Sequence, residues 1–144
     1  MSKRIYLLNG PNLNLLGQRQ TEVYGSETLD DVTQNCEMIA ASRGMTIQSF
    51  QSNFEGQLAD WVHEARQKAD AIIINPGAYS HTSIALLDAL NTFDGIVIEV
   101  HISNIHKREN FRHHSYTSLR SDGVIVGLGT QGYGLAVEAV QTLL

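Results

Sequence analysis

The stretch Ala71-Ile72-Ile73-Ile74-Asn75-Pro76-Gly77 decides the fold of this chain. Its apolar run has no polar residue to face solvent on either side, which is typical of a parallel strand covered by helices on both faces. The Asn-Pro-Gly step that follows is a turn signal and ends the strand abruptly. We therefore predict a buried inner strand over residues 71–74.

Short apolar runs and amphipathic stretches alternate along the rest of the chain. One helix shows apolar residues at spacings of three and four and is followed by Gly44, a residue type that often ends helices. The alternation predicts an α/β fold, a doubly wound five-stranded parallel sheet in a single domain over residues 1–144. The pattern over residues 111–118 is less clear. The predicted strands cover residues 4–8, 45–49, 71–74, 96–100 and 123–126, and the predicted helices 28–42, 55–68, 83–91 and 133–144.

The composition limits the classes of function. The chain has 144 residues and a formal net charge of −5, with no basic stripe, which argues against nucleic acid as a partner. No apolar run approaches the ~20 residues of a membrane span, and the run at 5–8 is too short for the core of a signal peptide. Cys36 is the only cysteine and lies on an apolar helix stripe, so we expect it in the core. We expect a cytoplasmic protein without a membrane partner.

Polar residues follow three of the predicted strands. Ligands of parallel α/β sheets bind beyond the carboxyl ends of the strands, so these side chains are expected at one edge. They include amides, two phenols, an arginine and two histidines. The residues are Asn9, Asn12, Asn14, Arg19 and Tyr24 after the first strand, Asn75, Tyr79, Ser80 and His81 after the third, and Glu99, His101, Ser103 and Asn104 at the end of the fourth.

Glu99 and His101 are candidates for acid catalysis. Residues two apart on a strand lie on the same face, so the carboxylate can hold one ring nitrogen of the imidazole. A histidine oriented in this way is a plausible general acid. The structural alternative is a strand that simply ends in polar residues.

Arg19 and Tyr24 are candidates for base catalysis. A tyrosine has a reference pKa of about 10, and an adjacent guanidinium is one of the few groups that lowers it. Spacing alone leaves open whether Tyr24 is a base or packs the loop while Arg19 stays in solvent. Asn12 follows Gly-Pro and Asn75 precedes Pro-Gly. Each either stabilises the backbone of its turn or donates a hydrogen bond to an oxyanion.

Several other motifs have weaker interpretations. His81 lies near a predicted helix start, where anions bind, and Arg112 is either a clamp for a hydroxyl or carboxylate or a solvated residue. The Gly-x-Gly-x-x-Gly pattern at 127–132 lacks the acidic residue that a dinucleotide site needs about 20 positions later, so we expect a tight turn and close helix–sheet packing. The rival hypothesis is a nucleotide- or phosphate-binding module that uses this turn. No metal-ligand spacing is present, and we predict no metal site.

Six motifs together resemble the type II 3-dehydroquinate dehydratases in order and spacing over nearly the whole chain. The motifs are Asn9-Gly-Pro-Asn-Leu-Asn-Leu-Leu-Gly17, Arg19 with Tyr24-Gly25, Ile74-Asn-Pro-Gly-Ala-Tyr-Ser-His-Thr-Ser83, Glu99-Val-His-Ile-Ser-Asn104, Phe111-Arg-His-His-Ser-Tyr116 and Gly123-Val-Ile-Val-Gly-Leu-Gly-Thr-Gln-Gly-Tyr133. The resemblance implies a flavodoxin-like fold without flavin, metal or other cofactor. It also implies a lyase that dehydrates 3-dehydroquinate to 3-dehydroshikimate by anti elimination through an enolate.

The resemblance further implies the catalytic roles. Tyr24 removes the proton next to the ketone, and Arg19 keeps this tyrosine ionised. Asn12 stabilises the enolate, through a water molecule. His101, oriented by Glu99, protonates the departing hydroxyl.

The remaining site residues are implied in the same way. Asn75 lies close to the departing hydroxyl, and His81 and Arg112 bind the substrate's hydroxyls. Ser103 and the backbone of Ile102 hold its carboxylate.

Assembly and loop motion complete what the resemblance implies. Asp88 matches a residue that a neighbouring subunit contributes within a dodecamer of four trimers. A lid loop at about 18–25 closes over the substrate. Gln20-Thr21 replaces the Glu-Pro pair that the family often carries, so we expect a looser lid. Phe54 and Leu87 also depart from residues common in the family, histidine and arginine.

Overall fold

The sheet has five parallel strands in the order β2-β1-β3-β4-β5. A computed structural model describes residues 2–144 of the chain, apart from the side chains of Val23 and Tyr24. The order 2-1-3-4-5 is that of flavodoxin-like folds, so the predicted doubly wound sheet is confirmed. The strands are β1 (Lys3–Asn9), β2 (Met45–Gln51), β3 (Ala71–Asn75), β4 (Ile96–His101) and β5 (Gly123–Val126).

Helices alternate with the strands, as the sequence predicts. The N-terminal end of α2 is fixed by a capping box between Thr28 and Asp31, and Gly44 follows the helix with a φ of +74°. Ser83 caps α4 by accepting a hydrogen bond from the backbone N–H of Leu86. The helices are α1 (Thr21–Tyr24), α2 (Leu29–Ser42), α3 (Glu55–Lys68), α4 (Ile84–Asn91) and α5 (Gln131–Leu143).

Alternate residues of the inner strands point into two separate apolar layers. In β1, Ile5 and Leu7 pack toward α2 and α5, whereas Tyr6 and Leu8 pack toward α3 and α4. All five residues of β3 are buried, as a strand covered on both faces requires. Cys36 lies in the first layer with no exposed surface, which confirms its assignment to the core.

The start of α5 differs from the prediction. The helix begins at Gln131, two residues before the predicted start, because its glycines are packing residues rather than helix breakers. A Cβ atom on Gly132 would lie 3.2 Å from a methyl group of Ile125 and 3.3 Å from one of Val100. The missing side chain lets the helix lie close to the sheet, which confirms the close packing expected of this turn.

The segment between β4 and β5 carries little regular structure. It contains three short 3-10 helices, Ile105–Lys107, Asn110–Arg112 and Thr117–Leu119, which explains why its sequence pattern is unclear. Across residues 2–144, none of the helices has the length and apolar character needed to cross a membrane.

Candidate active site

A cavity of about 240 Å³ lies at the carboxyl edge of the sheet. Its walls come from the loop after β1, the turn after β3 and the segment after β4, as the strand-end rule predicts. This volume is slightly below the roughly 300–1,000 Å³ of drug-sized ligand pockets, so the cavity suits a small molecule. The polar side chains that line it are Asn12, Arg19, Gln20, Asn75, His81, His101, Ser103, Arg108 and Arg112.

Two glycines allow the loops after β1 and β3 to interlock. A Cβ atom on Gly10 would lie only 2.6 Å from the carbonyl oxygen of Pro76. Gly77 has a φ of +59° and packs on the ring of Pro11, where a Cβ atom would lie 3.2 Å from Cδ. The N–H of Gly10 also donates to the carbonyl of Asn75 at 2.8 Å. The Gly-Pro and Pro-Gly steps therefore fix the relative position of two walls of the cavity.

Asn12 is held by its backbone and leaves its side chain exposed at the cavity. Its φ is +70°, in the left-handed region that asparagine tolerates better than most residues. Its N–H donates to Oδ1 of Asn53 at 2.9 Å, and the same oxygen accepts from Gln51 Nε2 at 3.2 Å. The side-chain amide of Asn12 can therefore contact a ligand.

Arg19 brings a guanidinium to the cavity wall. The side chain is half-buried, and its Nη1 donates to Oε1 of Gln20 at 3.0 Å. Gln20 itself has a φ of +45°. The side chain of Tyr24 lies outside the described residues, so the pairing of Arg19 with Tyr24 stays a prediction.

The two ends of the loop that carries Arg19 are packed together. Gly17 has a φ of +85°, and a Cβ atom there would lie 2.8 Å from the carbonyl oxygen of Ser26 and 2.9 Å from that of Glu27. The hydroxyl of Thr130 donates to Oε1 of Glu27 at 2.6 Å. The loop is thus closed at its base and attached to the turn before α5.

Glu99 and His101 form a buried pair beneath the cavity. His101 Nε2 donates to Glu99 Oε2 at 2.6 Å, and the side chains are 4% and 0% exposed. Because Nε2 is used in this bond, Nδ1 is the ring nitrogen available to a ligand. Burial acts to raise the pKa of Glu99, but hydrogen bonds from His101, Thr117 and Ser118 and the charge of His101 outweigh it and hold that pKa below its ordinary value. The predicted orientation of His101 by Glu99 is present.

His81 lies beside this pair with a different partner. Its Nδ1 donates to the backbone carbonyl of His114 at 2.8 Å. Burial lowers the pKa of His81, the His114 carbonyl acts in the opposite direction, and the charges of His101 and Arg112 lower it further. His81 is therefore a neutral hydrogen-bonding group at the cavity wall, with Nε2 as its other ring nitrogen.

Asn75 is held by its own side-chain hydrogen bonds. Its Oδ1 accepts from the N–H of Gly77 at 3.1 Å, and its Nδ2 donates to the phenol of Tyr133 at 2.8 Å. The Tyr133 hydroxyl in turn donates to Oδ1 of Asn9 at 2.7 Å. One N–H of Asn75 remains for a ligand, and its direction is set by this buried chain.

The segment after β4 gives the cavity a cationic wall. Ile102 and Ser103 both line it, and Arg108 Nη1 donates to Ser103 Oγ at 3.1 Å. Arg112 donates from Nε to Glu109 Oε1 at 2.9 Å. Among the described residues that line the cavity, there are three guanidinium groups, counting Arg19, and no carboxylate, which favours an anionic ligand.

Two backbone N–H groups of the glycine turn at 127–132 are bonded within the protein and are not available to a ligand. The N–H of Gly127 donates to the carbonyl of His101 at 3.1 Å, and the N–H of Gly129 donates to that of Ile102 at 3.0 Å. This removes the main support for the phosphate-binding rival. Within the described part of the chain, no three His, Cys, Asp or Glu side chains group closely enough to hold a metal ion.

Comparisons with known proteins identify the family. The model of the family described as dehydroquinase class II matches residues 3–141. The chain belongs to the class II dehydroquinase family. It is 62% identical over 143 residues to a protein of Cereibacter sphaeroides named 3-dehydroquinate dehydratase, covering 99% of this chain and 97% of the relative. A protein of the same name from Streptomyces avermitilis is 66% identical, over 96% and 88% of the two chains.

A solved structure supports the same family. The type II dehydroquinase from Propionibacterium acnes superposes with a TM-score of 0.94 at 43% identity, over 99% of this chain and 98% of that chain. The similarity of fold therefore extends over the whole sheet. The resemblance stated from the motifs is confirmed.

Among the candidates whose side chains the structure describes, Asp88 is the one that this dehydroquinase does not bring near the others. It lies exposed on α4 and does not line the cavity. Sequence reasoning also missed several residues that support the site. Arg108 lies in a segment of short turns. The partners of Glu99 and Asn75 lie far along the chain or in segments without regular secondary structure, so no periodic pattern in the sequence indicates them. These residues are Arg108, Ser115, Thr117, Ser118 and Tyr133.

Proposed function

We propose that this chain dehydrates 3-dehydroquinate to 3-dehydroshikimate. The relatives named 3-dehydroquinate dehydratase, which match nearly the whole chain, support this reaction. The observation that carries the proposal is the buried Glu99–His101 pair beneath a cavity lined by guanidinium groups. Elimination of water next to a ketone needs an acid for the leaving hydroxyl, and a carboxylate substrate needs cations.

The proposed reaction is an anti elimination through an enolate. Tyr24 acts as the base that breaks the C–H bond next to the ketone, and Arg19 holds it ionised. The electron pair moves into the enolate, whose oxygen is stabilised by the exposed amide of Asn12 through a water molecule. The enolate then collapses, the C–O bond breaks, and His101 gives its proton to the departing hydroxyl, which leaves as water.

Glu99 supports the acid step. A carboxylate beside an imidazole stabilises the imidazolium and fixes which ring nitrogen faces the substrate. With Nε2 bonded to Glu99, the proton on Nδ1 is the one that His101 transfers. The bond at 2.6 Å and the complete burial of Glu99 support this assignment.

The other cavity residues bind the substrate in this proposal. Ser103 and the backbone of Ile102 hold the carboxylate. His81 and Arg112 contact the ring hydroxyls, and Asn75 lies near the departing one. The support is their common position on the cavity wall and the neutral state of His81, which suits hydrogen bonds to hydroxyls.

The loop at residues 18–25 acts as a lid over a single catalytic domain formed by residues 1–144. Two observations support this role: the two ends of the loop pack together at Gly17, and Arg19 lies at the cavity. Closure of the loop brings the catalytic base to the substrate and excludes water. Gln20 in a left-handed conformation costs roughly 1 kcal/mol, which fits a loop that changes conformation.

We further propose that the enzyme acts in the cytoplasm as a dodecamer of four trimers. Asp88, exposed and away from its own cavity, is available to a neighbouring subunit's site. Sedimentation or light scattering measures this assembly.

The direct test is an assay for the product. Adding 3-dehydroquinate to the folded protein should produce the ultraviolet absorbance of a conjugated enone. Well-folded protein that gives no absorbance change would contradict the proposed function. Thermal-shift measurements with nucleotides and with quinate-like acids provide the second readout, and we expect stabilisation by the acids alone.

A further inference from the structure

Four side-chain groups surround the carboxylate of Glu99, and three of them are neutral hydroxyls. Its Oε2 accepts hydrogen bonds from His101 Nε2 at 2.6 Å, from Ser115 Oγ at 2.8 Å and from Ser118 Oγ at 2.8 Å. Its Oε1 accepts from Thr117 Oγ1. A carboxylate has two oxygens with about four lone-pair sites in total, so these four donors satisfy most of its hydrogen-bonding capacity.

The three hydroxyls are presented by one short segment that is itself firmly attached. Ser115 also accepts from the backbone N–H of Ser118 at 3.3 Å, and its hydroxyl lies 3.1 Å from that of Thr117. Tyr116, between them, donates its N–H to the carbonyl of Ser80 at 2.7 Å. Ser121 closes the other end by donating to the Thr117 carbonyl at 3.0 Å. The hydroxyls are therefore fixed in place before any ligand binds.

Because Glu99 is buried, these hydroxyls affect whether the proton shared between Glu99 and His101 lies on the carboxylate or on Nε2. Glu99 has no exposed surface, and among the ion pairs of the described residues His101 is its only cationic partner. Burial alone would favour transfer of the Nε2 proton to the carboxylate, which leaves a neutral imidazole and a neutral acid. Hydrogen bonds to the charged carboxylate oppose that transfer.

The location of this proton decides the strength of the acid. An imidazolium gives up its Nδ1 proton readily, whereas a neutral imidazole with a proton on Nδ1 is a very weak acid. We propose that Ser115, Thr117 and Ser118 are positioning residues for acid catalysis, and that their hydroxyls keep Glu99 ionised and His101 doubly protonated. This inference rests on the proposed function only for its kinetic consequence.

Other titratable or charged groups face His101 and are left unchanged by the test. The ring of His81 is stacked at a centroid distance of 6.4 Å. The guanidinium groups of Arg19, Arg108 and Arg112 line the same cavity. A change in the protonation of His101 after removal of the hydroxyls is therefore assigned to Glu99.

The test compares Thr117→Val and Ser118→Ala, singly and together, with two controls. Thr117→Ser keeps a hydroxyl at the same position. Ser121→Ala removes a hydroxyl of the same segment that bonds a backbone carbonyl and not Glu99. Nitrogen-15 NMR of His101, without substrate, reports whether both ring nitrogens carry protons, and steady-state kinetics with 3-dehydroquinate gives kcat and KM.

We expect the double variant to lose the doubly protonated His101 signal and to lower kcat by about 10–100-fold, with KM changed less than about threefold, since a general acid contributes roughly 10²–10⁴-fold. Thr117→Ser and Ser121→Ala should retain the wild-type signal. The inference is overturned if His101 stays doubly protonated in the double variant, or in both single variants should the double variant not fold. Because the NMR readout needs no substrate, a wild-type protein without dehydratase activity would contradict the proposed function and leave this readout intact.

Discussion

The imidazole rings of His81 and His101 lie nearly parallel, with centroids 6.4 Å apart and an angle of 19° between their planes. Their hydrogen-bond partners differ, because His101 donates to the carboxylate of Glu99 and His81 donates to the backbone carbonyl of His114. A carboxylate stabilises an imidazolium, whereas a carbonyl orients the ring without neutralising a charge. The two neighbouring rings are therefore suited to different protonation states.

The first prediction is that His81 stays neutral at a pH where an ordinary histidine is half protonated. Burial lowers the pKa of His81 below its ordinary 6.5, and the nearby charges of His101 and Arg112 act in the same direction. Histidine-ring NMR over a pH titration measures this directly. A midpoint for His81 at or above 6.5 would contradict the assignment.

The same shift predicts a pH dependence of stability. As the pH falls below about 6.5, His81 becomes protonated in the unfolded chain but not in the folded chain. The free energy of unfolding therefore decreases from about pH 6.5 down to the pKa of His81 in the folded state. Above about pH 6.5, the contribution of neutral His81 to the free energy of unfolding is fully present. Urea unfolding of the wild type and of His81→Gln at several pH values should show a difference that shrinks as the pH falls. A difference that is constant over the window would rule out this linkage.

The second prediction concerns Tyr24→Phe. Removal of the phenol removes the proposed base, so we expect turnover of 3-dehydroquinate to fall by at least about 10²-fold, the lower end for a general base. Binding of a quinate-like acid, measured by calorimetry, should change only a few-fold because the cationic wall is intact. Tyr116→Phe is the matched control, since Tyr116 does not line the cavity. If Tyr24→Phe kept most of its turnover, Tyr24 would not be the base.

The third prediction tests the interlocked loops. In Gly10→Ala the new Cβ atom would lie 2.6 Å from the Pro76 carbonyl oxygen, so the two loops must separate. We expect a loss of about 1–3 kcal/mol in the free energy of unfolding, typical of overpacking, together with a higher KM. Denaturant unfolding and steady-state kinetics measure the two effects.

Gly56→Ala is the control for this substitution. Gly56 lies in α3, and a Cβ atom there meets no atom within 4 Å. Because Gly56 lies in the first turn of α3, we expect alanine there to stabilise by at most the roughly 0.5–1 kcal/mol found in helix interiors. Equal effects of the two substitutions would show that the close approach at Gly10 is unimportant.

The fold was predictable from local patterns because the central strand β3 is a continuous apolar run over residues 71–74. Residues 71–74 can only be buried on both faces, and this demands parallel neighbours and helices on either side. The start of α5 was not predictable, because Gly132 resembles a helix breaker in sequence. The packing role of Gly132 is evident only from its short distances to Val100 and Ile125.

The candidate site was predictable to the extent that its residues follow strand ends. Glu99 and His101 share a face of one strand, so their contact follows from the period of two. The contacts of Glu99 with Thr117 and Ser118 could not be inferred, since these residues lie 18 and 19 positions away in an irregular segment. The partner of Asn75, Tyr133, is 58 positions away and depends on how α5 packs.

The last prediction concerns the buried chain from Asn75 through Tyr133 to Asn9. Tyr133→Phe leaves Nδ2 of Asn75 and Oδ1 of Asn9 without the phenol, and all three side chains are almost fully buried. Each unsatisfied buried group costs about 1–3 kcal/mol, so for the two groups together we expect a loss of about 2–6 kcal/mol in the free energy of unfolding. Because Asn75 loses one of the two hydrogen bonds that orient its amide, kcat should fall as well.

A second substitution separates the two effects. Asn9 also has an Nδ2 without a hydrogen-bond partner among the described residues. Replacing both polar partners of a buried bond by apolar groups is nearly neutral, so Asn9→Leu added to Tyr133→Phe should recover part of the stability. It should not recover kcat, since the bond to Asn75 is still missing. Recovery of both would mean that Tyr133 affects turnover only through global stability, and recovery of neither would mean that the Asn9–Tyr133 bond contributes nothing to the loss.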